Sequence, residues 1–126
     1  DRLKGYISSE GFTIYAGKNN KQNDFLALKF ANNSDIWLHT KDLAGTHVII
    51  VTAGREVPEQ TLKEAAIIAA YNSKGKMSSN VPVDYTKVKH VSKPSGAKPG
   101  MVIYKNNKTL YVTPKKNIIN KLKVEK

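Results

Sequence analysis

The densest group of side chains that can do chemistry lies between Asp35 and His47. These thirteen residues hold two histidines, two aspartates, one lysine and the only tryptophan of the chain. Side chains alternate along a strand, so Asp35, Trp37 and His39 share one face and the apolar residues between them point to the core. The segment therefore predicts a polar and aromatic face that is available to bind a partner.

This face has two interpretations, and the residues leave both open. In the first it is a nucleic-acid platform, on which Trp37 stacks on a base and both His39 and Lys41 contact phosphate. Asp42 then orients a neighbouring group. In the second, Trp37 is a core residue, the two histidines are satisfied hydrogen-bonding groups, and the two aspartates cap turns.

Histidines beside acids also raise two enzymatic hypotheses. His39, His47 and one aspartate have the ligand types of a divalent metal site. Their spacing, however, matches none of the short zinc patterns. A hydrolase with His39 as base and Ser34 or Thr46 as nucleophile has less support, because such pairs arise by chance in any chain.

A second polar group occupies the asparagine-rich loop of residues 17–24. Its amides, its two lysines and the helix that follows are groups that can hold a phosphate or a flipped base. The loop lacks the Gly-Lys-Ser/Thr ending and the glycine spacing of a Walker loop. A turn that ends in a helix cap explains the same residues equally well.

Positive charge is concentrated in the C-terminal part of the chain. The 21 Lys and Arg exceed the 10 Asp and Glu by a net charge of +11. Residues 1–70 hold eight of each sign, whereas residues 71–126 hold thirteen basic and two acidic side chains. This balance indicates a polyanionic partner: nucleic acid, an anionic membrane surface, or acidic proteins and glycans. Because only two basic residues are arginine, recognition of backbone and shape is favoured over direct reading of bases.

Length and composition are those of one globular domain. A chain of 126 residues with 40% hydrophobic residues is long enough for a single core. No apolar run approaches the roughly 18 residues that span a bilayer. The absence of cysteine excludes a disulfide scaffold and a thiol nucleophile. Since the chain begins at Asp1, we expect it to be a piece of a longer protein.

The elements that must position these groups can be assigned from patterning. Strands are predicted over residues 11–17, 35–39 and 46–52. A short helix is expected to begin at an Asn23 or Asp24 cap, and a long helix to run from Pro58 to Tyr71.

The second half is expected to contribute more strands. Residues 81–93 read as a strand on which Lys87 and Lys89 share a face, and residues 101–104 and 109–113 as a hairpin. Residues 115–126 form either a short helix or a frayed terminus. The predicted fold is a single α+β domain: a mixed or mostly antiparallel sheet with one long and one short helix.

The motifs, taken in order, resemble the NFACT-R domain, the C-terminal RNA-binding domain of the NFACT proteins. Bacterial members of that family are known as fibronectin-binding proteins, and eukaryotic relatives include NEMF. The resemblance runs from about Gly11 to Pro114, and we take residues 11–114 as the domain core and 115–126 as a basic extension. It is carried by the Gly17–Asp24 loop, by Asp35-x-Trp37-x-His39-x-Lys41-Asp42-x-x-Gly45-x-His47-Val48, by Glu64-Ala65-Ala66 through Ala69-Ala70-Tyr71, and by Val83-Asp84-Tyr85 through Lys98-Pro99-Gly100.

Two positions depart from the family pattern. Lys18 stands where the family often has arginine, which keeps the charge but loses a bidentate fork. Ala44-Gly45-Thr46 stands where Pro-Gly-Ser is commoner. Neither change is expected to alter the fold.

The resemblance implies a cytoplasmic factor of ribosome-associated quality control. Such proteins bind obstructed large ribosomal subunits and tRNA, and support the addition of C-terminal tails, mainly alanine in bacteria, to stalled chains. In that family the ribosome makes the peptide bond, so this domain is expected to be an RNA-binding module and no enzyme, monomeric by itself, with no cofactor and no metal. The RNA-binding residues carried over by position, together with two lysines of the predicted strand, are Lys18, Asn19, Asn20, Gln22, Asn23, Asp24, Trp37, His39, Lys41, Asp42, His47, Lys87 and Lys89.

The family name supplies an alternative. A fibronectin-binding adhesin at the bacterial surface also fits a basic domain, with host fibronectin as partner. The sequence given contains no signal or sorting motif, and both can lie outside a fragment.

Overall fold

A six-stranded antiparallel sheet runs through the middle of the molecule. The structure is a computed structural model and describes residues 2–124. In chain order the strands are β1 (Lys4–Ile7), β2 (Thr13–Ala16), β3 (Ile36–Thr40), β4 (Val48–Ile50), β5 (Val81–Lys87), β6 (Val91–Ser92), β7 (Ile103–Tyr104) and β8 (Lys108–Val112). The order in the large sheet is β1-β2-β4-β3-β5-β8, and β6 pairs with β7 in a separate ribbon. The predicted α+β class with a mostly antiparallel sheet is confirmed.

Three α-helices, one π-helical turn and one 3₁₀ turn complete the fold. They are α1 (Asn20–Phe25), a π-helical turn (Leu26–Phe30), α2 (Glu59–Tyr71), a 3₁₀ turn (Val88–His90) and α3 (Lys116–Leu122). The long helix is where the sequence predicted it, and the short helix predicted as one outcome for the C-terminal segment is α3. None of the helices in residues 2–124 is long and apolar enough to cross a membrane.

The larger apolar core lies between the sheet and α2. Four alanines of the helix and Ile68 are fully buried. They pack with strand residues such as Ile14 and Leu38 and with Ile119 of α3. We call this side of the sheet the helix face.

A smaller core lies on the opposite side of the sheet. Trp37 is at its centre, with Ile49 beside it on β4. Leu26 of the π-helical turn covers the core from one side, and Val91 and Tyr104 of the β6–β7 ribbon cover it from the other. Because this cover is short, polar groups occupy the rest of the surface. We call it the ribbon face.

The first helix begins earlier than predicted. The cap is Asn19, whose side chain accepts a hydrogen bond from the Gln22 N–H at 2.9 Å. Asn23 and Asp24, the predicted caps, lie inside the helix. The prediction was wrong because the side chains of these two residues bond to distant segments instead of to the helix start.

The predicted hairpin of residues 101–104 and 109–113 is also wrong. Its two arms lie in different sheets, since β7 pairs with β6 and β8 pairs with β5. The turn between them does contain a left-handed residue, Asn106 at φ 57°. The local turn signal was correct, but each arm has a better partner elsewhere.

The predicted strand of residues 81–93 breaks after Lys87. The 3₁₀ turn that follows buries Val88 in the smaller core, and the Val88 N–H donates to the Asp35 carbonyl at 2.9 Å. The prediction that Lys87 and Lys89 share a strand face is therefore wrong, although both side chains are exposed. β5 is an interior strand, with Pro82 as its second residue.

Ordered structure extends on both sides of residues 11–114. β1 forms an edge of the sheet through its pairing with β2. At the other end, Ile119 and Leu122 of α3 are buried against α2. The first and last elements of the described chain thus belong to the same body as the predicted core.

Candidate nucleic-acid interface

A set of buried rings lies at the centre of the ribbon face. The fully buried Trp37 indole donates its Nε1 proton to Nδ1 of His47 at 3.2 Å. Because Nδ1 accepts, the neutral imidazole carries its proton on Nε2 and donates it to the Gly100 carbonyl oxygen at 3.0 Å. The centroid of the His39 ring lies 5.2 Å from that of His47. These contacts join β3 to the loop that contains Gly100.

Both histidines are neutral at physiological pH. Burial lowers the pKa of His47 to about 4, and the neighbouring His39 ring adds to the effect. Burial also lowers the pKa of His39, against backbone hydrogen bonds that favour its charged form. The two imidazoles therefore offer neutral hydrogen-bonding groups, and the positive charge of this face comes from lysine.

A buried carboxylate organises the adjoining part of the face. Asp84 of β5 is 1% exposed and accepts hydrogen bonds from the Tyr104 hydroxyl at 2.5 Å and the Thr109 hydroxyl at 2.6 Å. Burial and the bond to Asp84 raise the pKa of Tyr104, so the phenol stays protonated and donates. Nζ of Lys41 lies 3.8 Å from the same carboxylate. Asp84 thereby fixes Tyr104 in the ribbon and attracts Lys41 to the rim.

Asn23 is a buried link between the asparagine-rich loop and the segment before β4. Its Oδ1 accepts from the His47 backbone N–H at 3.0 Å and lies 3.2 Å from the Thr46 hydroxyl. That hydroxyl is also in hydrogen-bonding contact with the Gly17 carbonyl. A Cβ on Gly17 would lie 2.1 Å from the Asn23 oxygen, so only glycine allows this approach.

Two further amides close the loop on itself. Gln22 Oε1 accepts the Lys18 N–H at 2.8 Å, and Asn19 caps α1. Gln22 is buried as a result, whereas the side chains of Lys18, Asn19, Asn20 and Lys21 are exposed. The loop thus presents amides and lysines to solvent from a hydrogen-bonded frame.

Asp24 connects this loop to the lysine-rich part of the chain. Its Oδ1 accepts the Gly100 N–H at 2.9 Å, and its Oδ2 lies 3.1 Å from Nζ of Lys93. The same ammonium donates to the Lys98 carbonyl at 2.6 Å. Residues 93–100 are therefore held against α1. The near-neutral first half and the basic second half of the sequence meet here in one continuous surface.

Lysines crowd the end of β5 and the ribbon beside it. Desolvation and the charges of Lys89, Lys105 and Lys87 lower the pKa of His90. A cavity of about 320 Å³ beside the ribbon is lined by Lys89, His90 and Lys105. Within residues 2–124, none of the three lysines has a carboxylate oxygen within 4.0 Å. Their charge is available to an external anion.

The structure brings most of the predicted site residues to the ribbon face but divides them by exposure. Lys41 and Asp42 are exposed at its rim, and His39 is partly exposed. Trp37 and His47 are interior, which agrees with the second interpretation of the segment. Asp35, outside the predicted contacts, caps a turn as that interpretation proposed: its carboxylate accepts the backbone N–H groups of Asn32 and Thr52.

Several residues of this surface were not singled out by sequence reasoning. Lys93 was counted only as one lysine among many, and Tyr104 was assigned to the hairpin. Gly100 has a left-handed φ of 85°, and a Cβ there would lie 2.6 Å from the Asn20 oxygen. The Lys98-Pro99-Gly100 motif was the one available signal that this loop makes a specific contact.

The structure bears on two groups of the enzymatic hypotheses. Among residues 2–124, no three His, Asp or Glu side chains are grouped so that they could hold a metal ion. The Thr46 hydroxyl, one proposed nucleophile, is engaged by Asn23 and Gly17.

Comparison with known proteins places the chain among relatives of known class. The sequence profile described as "NFACT protein RNA binding domain" matches residues 3–106, which include β1 and end before β8. The chain is 55% identical over 121 residues to the Rqc2 homolog RqcH of Bacillus subtilis, covering 96% of this chain and 21% of that protein. It is 32% identical over 84 residues to ribosome quality control complex subunit 2 of Schizosaccharomyces pombe, covering 64% of this chain and 8% of that protein.

A solved structure has the same fold. The C-terminal part of the fibronectin/fibrinogen-binding protein from Streptococcus suis superposes with a TM-score of 0.94 at 40% identity. The match covers 98% of this chain and 50% of that chain. The chain thus spans about a fifth of the length of the bacterial curated relative and half of the solved structure.

Proposed function

Because the chain belongs to the NFACT RNA-binding domain family, we propose that it is the RNA-binding module of a ribosome-associated quality control factor. Its targets are the rRNA of obstructed large ribosomal subunits and tRNA. In this role it supports C-terminal tailing of stalled chains in the cytoplasm and catalyses no step itself.

The observation that carries the proposal is that the fold brings lysines from both halves of the sequence together, through the contacts of Asp24 with Lys93 and Gly100. The set includes the exposed Lys18 and Lys21, Lys93 itself and the lysines around His90. Lysines such as Lys89 and Lys105, which have no carboxylate oxygen within 4.0 Å among residues 2–124, suit phosphates of a structured RNA, whose backbone is recognised by position and shape.

The helix face is less suited to this role. Exposed acidic side chains interrupt it: Glu10 and Glu59 lie near the start of α2. We therefore place the RNA contacts on the ribbon face. Of the thirteen predicted residues, we assign direct contact to the exposed ones on this face and to the partly exposed His39, and a supporting role to Gln22, Asn23, Asp24, Trp37 and His47. Lys87 is left out, because it pairs with Ile36 on β3 and its side chain lies on the helix face.

Binding of tRNA and of purified large subunits across a salt series tests the proposal. A module that contacts several phosphates loses affinity steeply as salt rises, by about 0.7 to 0.9 in the log–log slope per phosphate. Absence of binding at low salt would overturn the proposed function.

A matched pair of charge reversals locates the surface. Replacing Lys21, Lys89 and Lys105, all of which are exposed, by glutamate should weaken binding and reduce the slope by about 2 to 3. Replacing Lys63, Lys116 and Lys121, which are exposed on α2 and α3, changes the net charge by the same amount and should have a much smaller effect. Equal losses in the two variants would mean that net charge alone drives binding.

The name of the S. suis relative supports a second candidate, binding to fibronectin. It is tested with the same two variants against immobilised fibronectin at physiological salt. Capture that both triple variants abolish equally, or no capture at all, removes the adhesin hypothesis.

A further inference from the structure

One cavity on the ribbon face differs in charge from its surroundings. It has a volume of about 260 Å³ and lies between the end of β3 and the segment of residues 100–104. Its lining includes His39, Asp42, Met101 and Tyr104. The lining contains no lysine, although the face around it is rich in lysine.

The groups around this cavity make it a poor phosphate site. Asp42 contributes a carboxylate to its lining, and Asp84 lies directly behind Tyr104 at 2.5 Å from the phenol oxygen. Lys41 is the nearby cation, and it already faces Asp84. Burial keeps the pKa of His39 low, so its ring is neutral. Two carboxylates against one ammonium repel an anion, whereas a neutral polar group is not repelled.

The same walls suit a flat ring. The planes of Trp37 and His39 are almost parallel, at 12°, and Tyr104 packs on Trp37 with a centroid distance of 4.6 Å. Met101 is 58% exposed and supplies a flexible thioether, a group that adapts to aromatic surfaces. The Asp42 carboxylate can accept a hydrogen bond from an N–H group.

We propose that this cavity receives one unpaired nucleobase of the bound RNA, with His39, Tyr104 and Met101 against the ring and Asp42 accepting from its N–H edge. The inference rests on the proposed RNA-binding function and adds a subsite to it. A base is the part of an RNA that is neutral, flat and equipped with N–H donors, which are the properties that the walls select.

The position of the cavity fits a base whose phosphates continue outside. Tyr104 lines this cavity and also the neighbouring one between Lys89, His90 and Lys105. An RNA chain that inserts a base into the cavity on one side of Tyr104 therefore finds lysines for its phosphates on the other side of Tyr104. The subsite requires single-stranded RNA, because a paired base cannot leave its helix without cost.

Two RNAs with equal charge separate this subsite from backbone binding. The first is a short single-stranded RNA, and the second is its abasic counterpart with the same number of phosphates. The protein should bind the base-bearing chain about fivefold to a hundredfold more tightly, the range expected for one stacked base. Both should show the same dependence on salt, since both release the same counterions.

The two methionines provide a matched pair of variants. Met101→Ala removes part of the wall and should remove most of the preference for the base-bearing chain while it leaves the salt slope unchanged. Met77→Ala alters a side chain that is 93% exposed in the segment between α2 and β5 and should bind like the parent protein. His39→Ala should act like Met101→Ala, with the unfolding temperature measured to verify that it folds.

The outcomes distinguish the subsite from the wider function. Equal affinity for the two chains, with normal salt dependence, would overturn the subsite and leave the RNA-binding module intact. A preference that survives in both Met101→Ala and His39→Ala would place the base elsewhere and would also overturn it. No affinity for either chain at low salt would instead contradict the proposed function.

Discussion

The two faces of the central sheet are covered in different ways. On the helix face, thirteen-residue α2 and seven-residue α3 bury a continuous apolar core. On the ribbon face, a two-stranded ribbon and a single turn of π-helix cover only Trp37 and its apolar neighbours. The remaining area is filled by hydrogen-bonded polar groups such as Asn23, His47 and Asp84.

This difference separates stability from binding. Apolar packing on the helix face supplies most of the buried surface and offers little that an RNA could recognise. On the ribbon face, long-range hydrogen bonds hold three loops together and leave their lysines and amides outside. Substitution of buried side chains on the helix face should therefore lower stability alone. Substitution at the centre of the ribbon face should lower both stability and RNA affinity.

The largest expected effect comes from Trp37→Ala. Removing a fully buried tryptophan should lower the free energy of unfolding by about 3 to 5 kcal/mol. It also removes the donor to His47 Nδ1 and so loosens the loop at Gly100. We expect weaker RNA binding by the folded protein, measured with urea unfolding and a binding assay below the unfolding transition.

Ile68→Ala on the helix face is the counterpart. It should cost about 2 to 5 kcal/mol, because Ile68 is equally buried. The folded fraction should bind RNA as well as the parent protein does. If Ile68→Ala and Trp37→Ala reduced the affinity of the folded protein to the same extent, the separation of the two faces would be wrong.

Acid should destabilise the protein through His47. The pKa of its folded form is about 4, below the ordinary value of about 6.5. The unfolded chain therefore takes up a proton first as pH falls, and stability present above pH 6.5 is lost between pH 6.5 and 4. The loss is on the order of 3 kcal/mol. His39, whose pKa is also lowered by burial, acts in the same direction.

Urea unfolding at several pH values measures this effect, with His47→Gln as the comparison. Glutamine cannot take up a proton, so the variant should show a smaller loss of stability between pH 6.5 and 4. It should be less stable than the parent protein at pH 7, where the Trp37 and Gly100 contacts are intact. An equally steep pH dependence in the variant would remove His47 as the cause.

The smallest effect on stability is expected for Lys41→Ala. Its ammonium is half exposed and 3.8 Å from Asp84, which keeps its Tyr104 and Thr109 donors. The loss of stability should be under about 1 kcal/mol. RNA affinity should nevertheless fall, and the log–log salt slope should decrease by about 1. Unchanged affinity in low salt would exclude Lys41 from the interface.

Patterns within one element were predictable from the sequence. α2 follows from its helical spacing and strands β3 and β4 from their apolar runs, because the period of a buried surface is a local property. β1 was not predicted, since Lys4-Gly5-Tyr6-Ile7 contains a glycine and too few residues to show alternation. Its backbone pairing with β2 makes it a strand although its own sequence has no strand pattern.

The roles of the site residues depended on contacts across the chain. Whether Trp37 is a platform or a core residue was decided by the π-helical turn and by the ribbon, which are separated from it in sequence. Asn23 was expected to cap a helix or contact RNA, and the structure uses its oxygen to hold His47, 24 residues away. The same holds for Asp24 and Gly100, 76 residues apart. No local pattern specifies such pairs.

The most direct test of the ribbon face as the RNA interface is an NMR titration of the ¹⁵N-labelled domain with RNA. We expect the backbone amide signals of residues 18–24, 39–47 and 87–105 to move, with those of residues 59–71 and 116–122 unchanged. Shifts that concentrate in α2 and α3 and spare the ribbon face would contradict the account.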